Sequence, residues 1–160
     1  MRRGLRRGLL VSIIAGVLGA CGGETKVCLE LSSQEPARIL TRLPVKTGTP
    51  FVFEFVNSIY RSPVRETLVY NPAEGISIVM VESPCDGVFE YYGLEPDGTG
   101  RAVLNRRVGD IRIRSHDYKN HRIRAGGKTL HLEGLVANGE PLILKMRGGR
   151  ECGKPVFSGG

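Results

Sequence analysis

The chain has 160 residues, of which 41% are hydrophobic and 24% charged, with a net charge of +7. Four of its 23 basic residues and none of its 16 acidic ones fall within residues 1–20, so the remainder carries only +3. The nucleic-acid partner that a pI near 9.5 would suggest is set aside on that ground, and the length is enough for one domain to bury its own core without a metal or several disulfides.

The N-terminus speaks to location. Arg2, Arg3, Arg6 and Arg7 precede an apolar run at residues 9–18, and Leu18-Gly19-Ala20-Cys21 places small residues directly before a cysteine. This resembles a bacterial lipoprotein signal peptide. The resemblance implies cleavage before Cys21, acylation of Cys21, and export of everything after it, with the arginines left on the cytoplasmic side. The apolar run is shorter than the roughly 20 residues a spanning helix needs, which argues against an uncleaved anchor. Glycine rather than aspartate follows Cys21, which leans toward the outer membrane, although both membranes fit. The expected organisation is a signal peptide at 1–20, a lipidated tether at 21–25, one β domain at 26–147 and a flexible C-terminal tail at 148–160, facing the periplasm.

Three cysteines follow Cys21, and in an oxidising compartment two of Cys28, Cys85 and Cys152 can pair. Cys28 with Cys152 is the preferred pair, because the two ends of a domain often lie close together. No spacing fits a CxxC redox or zinc motif.

Beyond the N-terminus, short alternating segments recur between Gly, Pro, Asn and Asp signals, which predicts an all-β chain. Residues 27–31 and 38–40 read as strands around a Gln34-Glu35-Pro36 turn. Phe51, Phe53 and Phe55 alternate with Val52, Glu54 and Val56, so the three rings share one core-facing side. Residues 64–70 and 76–81 form an expected hairpin through Asn71-Pro72-Ala73-Glu74-Gly75. Residues 83–100, rich in Gly, Pro and aromatic rings, read as an ordered loop. Further strands are expected at 102–104, 111–114, 121–124, 129–133 and 141–146, with Gly126-Gly127 as the clearest turn. About ten short strands at this spacing predict a small antiparallel β-sandwich or flattened barrel with one dry and one charged face.

Phe53-Glu54-Phe55-Val56-Asn57-Ser58 followed by Pro63-Val64-Arg65-Glu66 is the most specific pattern after Cys21. It resembles the small exported proteins known as domain of unknown function 1850, with Ser58, Pro63, Val64 and Glu66 in matching positions. Residues 121–127, 130–132 and 142–144 look similar to that family's late strands, and the likeness runs over 43–146. Asn57 stands where the family usually has histidine, and asparagine cannot shuttle a proton near neutral pH, which counts against catalysis. Members often occur beside TRAP-type transporters with a TAXI-type receptor, so the resemblance implies a partner, a TRAP receptor or permease, rather than a reaction.

Asn57, Ser58 and Glu66 bracket a short connection and form a candidate ligand or partner site together with His121 and Arg122. In the competing reading, Glu66 pairs with Arg61 or Arg65, and Asn57 and Ser58 only end a strand, which is the favoured role for the latter two. His116-Asp117-Tyr118-Lys119-Asn120-His121 brings two histidines and a carboxylate together, with Glu66 as a conceivable distant ligand. Neighbouring Lys119 and Arg122 repel a cation, and a polar turn with solvated histidines is the preferred reading, so no metal and no cofactor are expected. Ser58, Glu66 and His121 lack a nucleophile elbow and an oxyanion-hole signature, so no catalytic triad is expected. Arg112, Arg114, Arg122 and Arg124, spaced by two, are expected to line one face of two strands; a solvated outer face balanced by residues such as Glu133 is the default reading, and by charge alone the row is the best candidate contact surface. The functional expectation is a membrane-anchored, non-enzymatic accessory or binding module of TRAP-type uptake, the alternative being a structural or assembly lipoprotein of the cell envelope.

Overall fold

In the computed structural model, residues 27–153 and 156 are described. The signal peptide at 1–20, Cys21, its tether and the last residues of the tail therefore lie outside the described residues. Alternating apolar side chains at period two produce ten strands. In chain order these are β1 Val27–Gln34, β2 Ala37–Val45, β3 Phe51–Asn57, β4 Ser62–Asn71, β5 Gly75–Glu82, β6 Arg101–Arg107, β7 Ile111–Ile113, β8 Arg122–Ala125, β9 Lys128–His131 and β10 Leu142–Gly148. They form two sheets, ordered β2-β1-β10-β7 and β6-β5-β4-β3-β8-β9, with every strand pairing antiparallel. The chain is all-β, and two antiparallel sheets with a shared core are consistent with a sandwich.

The core is the apolar phase of each strand. Leu29 and Leu31 of β1, Leu142 and Leu144 of β10 and Ile113 of β7 come from the smaller sheet. Phe51 and Phe53 of β3, Val64 and Leu68 of β4, and Ile123 of β8 come from the larger. Burying each of these side chains contributes about 2 kcal/mol. Phe55, third of the alternating rings, is only half-buried against this cluster. On β5 the buried phase runs Ile76, Ile78, then Val81, because Leu68 pairs with Ile78 and Thr67 with Met80. Val79 is thus an extra residue in a β-bulge.

Gly126 and Gly127 form the two-residue loop between β8 and β9, with Ala125 opposite Lys128 and φ of +56° and +75°. A type I′ hairpin turn demands positive φ at both positions. A Cβ on Gly126 would collide with the Pro44 carbonyl oxygen, so glycine also lets this hairpin of the larger sheet touch β2 of the smaller one.

Three expectations change. The segment 83–100 contains a helix, α1 Asp86–Tyr92, which buries Val88 and Phe89 and ends at Gly93 in the left-handed region. Two turns are too short to show a helical period, and the flanking Gly and Pro read as loop. The expected tail at 148–160 begins with ordered structure: Gly148 completes β10, Gly149–Gly153 is a 3-10 helix, and Cys152 within it is bonded to Cys28 of β1. Cys85 is a free thiol. The arginines spaced by two do not share a face, for Arg112 lies in β7 of the smaller sheet and Arg122 and Arg124 in β8 of the larger. The intervening chain crosses between sheets through an arch around buried Tyr118, whose hydroxyl donates to the Glu140 carbonyl at 2.6 Å. Arg114, on this arch, donates to the Gly139 carbonyl instead.

Candidate functional site

The β3–β4 hairpin holds Asn57 and Ser58, and β4 carries Glu66. Asn57 ends β3, and its Oδ1 accepts the backbone N–H groups of Ile59 at 2.9 Å and Tyr60 at 3.1 Å. This closes the turn that leads to Arg61, which has φ of +50°. Its side chain is thereby occupied in holding the turn. Ser58 is exposed at the tip. Glu66 lies elsewhere, because Asn57 pairs with Ser62 and Glu66 is four residues further along β4, about 13 Å away. Asn57, Ser58 and Glu66 are therefore not brought together.

Glu66 also departs from the alternative of a surface pairing with Arg61 or Arg65. It is in phase with Val64 and Leu68, hence buried, and its Oε1 accepts the Tyr92 hydroxyl from α1 at 2.5 Å. Burial pushes the Glu66 carboxyl above its ordinary value, and the Tyr92 hydrogen bond only partly opposes this. The Tyr92 hydroxyl is itself driven upward by burial and by the Glu66 charge, so it remains a proton donor. The pair latches α1 onto the inner face of the larger sheet.

His121 precedes β8 and is buried, not solvated. Its ring packs among Phe53 and Phe55, both at 6.1 Å between centroids, and Tyr118 at 5.4 Å. Nδ1 has no hydrogen-bond partner, and burial lowers the pKa against the opposing pull of Asp117. The turn before it is built as the polar reading expects, with Ser115 Oγ donating to the Asp117 carbonyl and Asp117 Oδ1 accepting from Lys119 N–H. Among the described residues no group of three or more His, Cys, Asp or Glu side chains is placed to hold a metal ion. With Ser58 at the hairpin tip, Glu66 bonded to Tyr92 and His121 enclosed by rings, no triad geometry forms.

The outer face of the larger sheet is different in kind. Strand register sets Arg101 opposite Glu82, Glu82 opposite Arg65, Arg65 opposite Glu54, and Glu54 opposite Arg122. Five neighbouring strands thus carry one alternating row. Arg101 Nε approaches Glu82 at 2.9 Å, Arg65 Nε lies 3.5 Å from Glu82 and 3.9 Å from Glu54, and Arg122 Nε lies 3.1 Å from Glu54. Arg124, two residues along β8, donates to Glu54 at 3.2 Å.

The two layers of this row differ in depth. Side-chain exposure is 17% for Glu82 and 19% for Glu54, against 57%, 49%, 40% and 48% for Arg101, Arg65, Arg122 and Arg124. The carboxylates lie beneath and the guanidinium groups stand on top. Because the closest contacts of Arg65, Arg101 and Arg122 run through Nε, the terminal nitrogens of these forks retain donors for an oxyanion. A cleft of about 820 Å³ covers this row, with Pro63, Pro84 and Thr99 on its walls and Asp86 as a third carboxylate.

Of the expected site residues, only Arg122 and Arg124 belong to this cleft. Arg65, Arg101, Glu54 and Glu82 escaped sequence reasoning. Each occupies the polar phase of its strand, which was the available signal, but the register that aligns them is a tertiary property. No family model matches the chain, and no curated protein or solved structure is significantly similar to it.

Proposed function

We propose that this protein is a lipid-anchored lipoprotein of the bacterial envelope, facing the periplasm, that serves as a non-enzymatic binding module accessory to TRAP-type solute uptake. The observation that carries the binding role is the arginine-topped cleft on the larger sheet. Its position suits a tethered protein. Val27, where the described chain begins, shares a hollow with Val45, Tyr70 and Cys152, whereas Arg65 lies five residues up β4 from Tyr70, about 17 Å away. A partner thus reaches the cleft from the side remote from Val27. The anchor itself rests on the Cys21 pattern, and the transport neighbourhood rests on the resemblance of residues 43–146 to domain of unknown function 1850.

The non-enzymatic reading draws on the occupied side chain of Asn57 and the enclosed ring of His121. Affinity capture of the full chain in mild non-ionic detergent tests the proposal. A TRAP receptor or permease should co-purify, and mass spectrometry of the purified protein should find an N-terminus at Cys21 that carries acyl chains. Enrichment of other envelope proteins alone would replace the transport role with structural or assembly work.

A further inference from the structure

Charge and spacing on the ladder specify what the cleft would hold. The guanidinium groups of Arg101, Arg65 and Arg122 sit on β6, β4 and β8, with two strand spacings from Arg101 to Arg65 and two from Arg65 to Arg122. At about 4.8 Å per strand, the backbone positions that carry these arginines recur every ~9.6 Å and the row spans ~19 Å. A small solute is normally engulfed by its pocket, whereas an open trough of this length is matched to a chain lying across the strands.

Among regular extended chains, polyproline II has three residues per turn at about 3.1 Å each, so every third side chain returns to the same face after ~9.3 Å. A β conformation would turn residues i and i+3 to opposite faces. The cleft also offers apolar surface at Val56, Pro63 and Pro84 for the residues between successive acids.

We propose that the cleft binds an extended acidic segment of a protein partner in polyproline II conformation, with carboxylates at every third position engaging Arg101, Arg65 and Arg122. The proposal rests on the outer face of the larger sheet being the partner face. Glu54 and Glu82 fix the arginine forks from below, and the acidic segment supplies the counter-charge from above. Arg124 adds a fourth guanidinium beside Arg122.

The test uses the full-length protein in non-ionic detergent and two fluorescent nonapeptides of equal composition, read by anisotropy. One repeats Glu-Pro-Pro three times; the other has three consecutive Glu followed by six Pro. The spaced peptide should bind at least tenfold more tightly than the clustered one. Arg101→Gln, on the exposed edge strand, and the double variant Arg65→Gln/Arg122→Gln should each weaken it severalfold or more. Arg112→Gln, which removes the same charge from the smaller sheet, should leave it unchanged. Circular dichroism on each variant separates a lost site from a lost fold, and Arg101→Gln remains informative if the double variant unfolds. Equal affinity for the two peptides, equal loss with Arg112→Gln, or no binding of the spaced peptide at millimolar concentration overturns the proposal. Competition by citrate at concentrations where sodium chloride of equal ionic strength has no effect would instead assign the cleft to a small polycarboxylate, which also overturns it. Co-purification of a partner with the full chain, alongside failure of the spaced peptide, would reject the acidic segment while keeping the binding-module reading.

Discussion

Two buried carboxylates on opposite sheets respond to pH in opposite senses. Glu66 holds its proton more tightly in the native state than at its ordinary value of 4.5, because burial outweighs the hydrogen bond from Tyr92. Its stabilising share is complete below 4.5 and disappears as pH rises through the native value. Glu66→Gln, which keeps an acceptor for Tyr92 without a charge, should therefore raise the melting temperature at pH 8 and leave it nearly unchanged at pH 4. Parallel melting curves for the two proteins across that range would contradict this origin. Glu30 is buried on β1 as well, but Arg42 and Arg147 overcome the effect of burial and hold its carboxyl below the ordinary value. Its share is present above 4.5 and is lost as pH falls through the native value. Glu30→Gln should cost about 3 kcal/mol at pH 7 in chemical denaturation, by removal of the carboxylate that two guanidinium groups share, and less in acid. The depth of Glu66 was legible in principle, since it is in phase with Val64 and Leu68, just as His121 is in phase with Ile123 and Ala125. Reading both as site residues gave chemical type precedence over strand phase.

Among the elements, the β8–β9 hairpin and α1 show what local sequence can and cannot carry. The Gly126-Gly127 turn announces itself because two consecutive positive φ angles suit glycine almost alone. What the sequence does not display is the Pro44 carbonyl against Gly126, a contact between sheets. The two glycines therefore separate two effects. Gly127→Ala has open space around it and should cost about 1 kcal/mol from backbone conformation. Gly126→Ala adds the collision with Pro44 and should cost at least about 2 kcal/mol in the same denaturation experiment. Equal losses would mean that the hairpin does not rest on β2. Helix α1 escaped notice for a different reason, since its two turns are held by Val88 and Phe89 in the core and by the Tyr92–Glu66 bond, all tertiary contacts. The 3-10 helix at Gly149–Gly153 was hidden likewise, although the Cys28–Cys152 bond that ties it to β1 follows the expectation of neighbouring chain ends.

At the level of the molecule, alternation along single strands carried the all-β class, the approximate strand number and most of the core, because each depends on periodicity within a few residues. The arginine-topped face depends on pairing. Glu54, Arg65, Glu82, Arg101 and Arg122 are scattered over nearly 70 positions of sequence and become one row only when five strands adopt their register. The arginines equally spaced along the chain parted because Arg112 and Arg122 lie on either side of a crossover between sheets. Whether the arginine-topped face meets a transport partner is tested directly by photocrosslinking in intact cells. The photoreactive amino acid Bpa is placed at Asn120, which lines the cleft without removing a ladder charge, and at Arg112 on the smaller sheet for comparison. Capture of a TRAP receptor or permease from Asn120 and not from Arg112 is the predicted result. Equal capture from both positions, or capture at Asn120 of envelope proteins with no transporter among them, would contradict it.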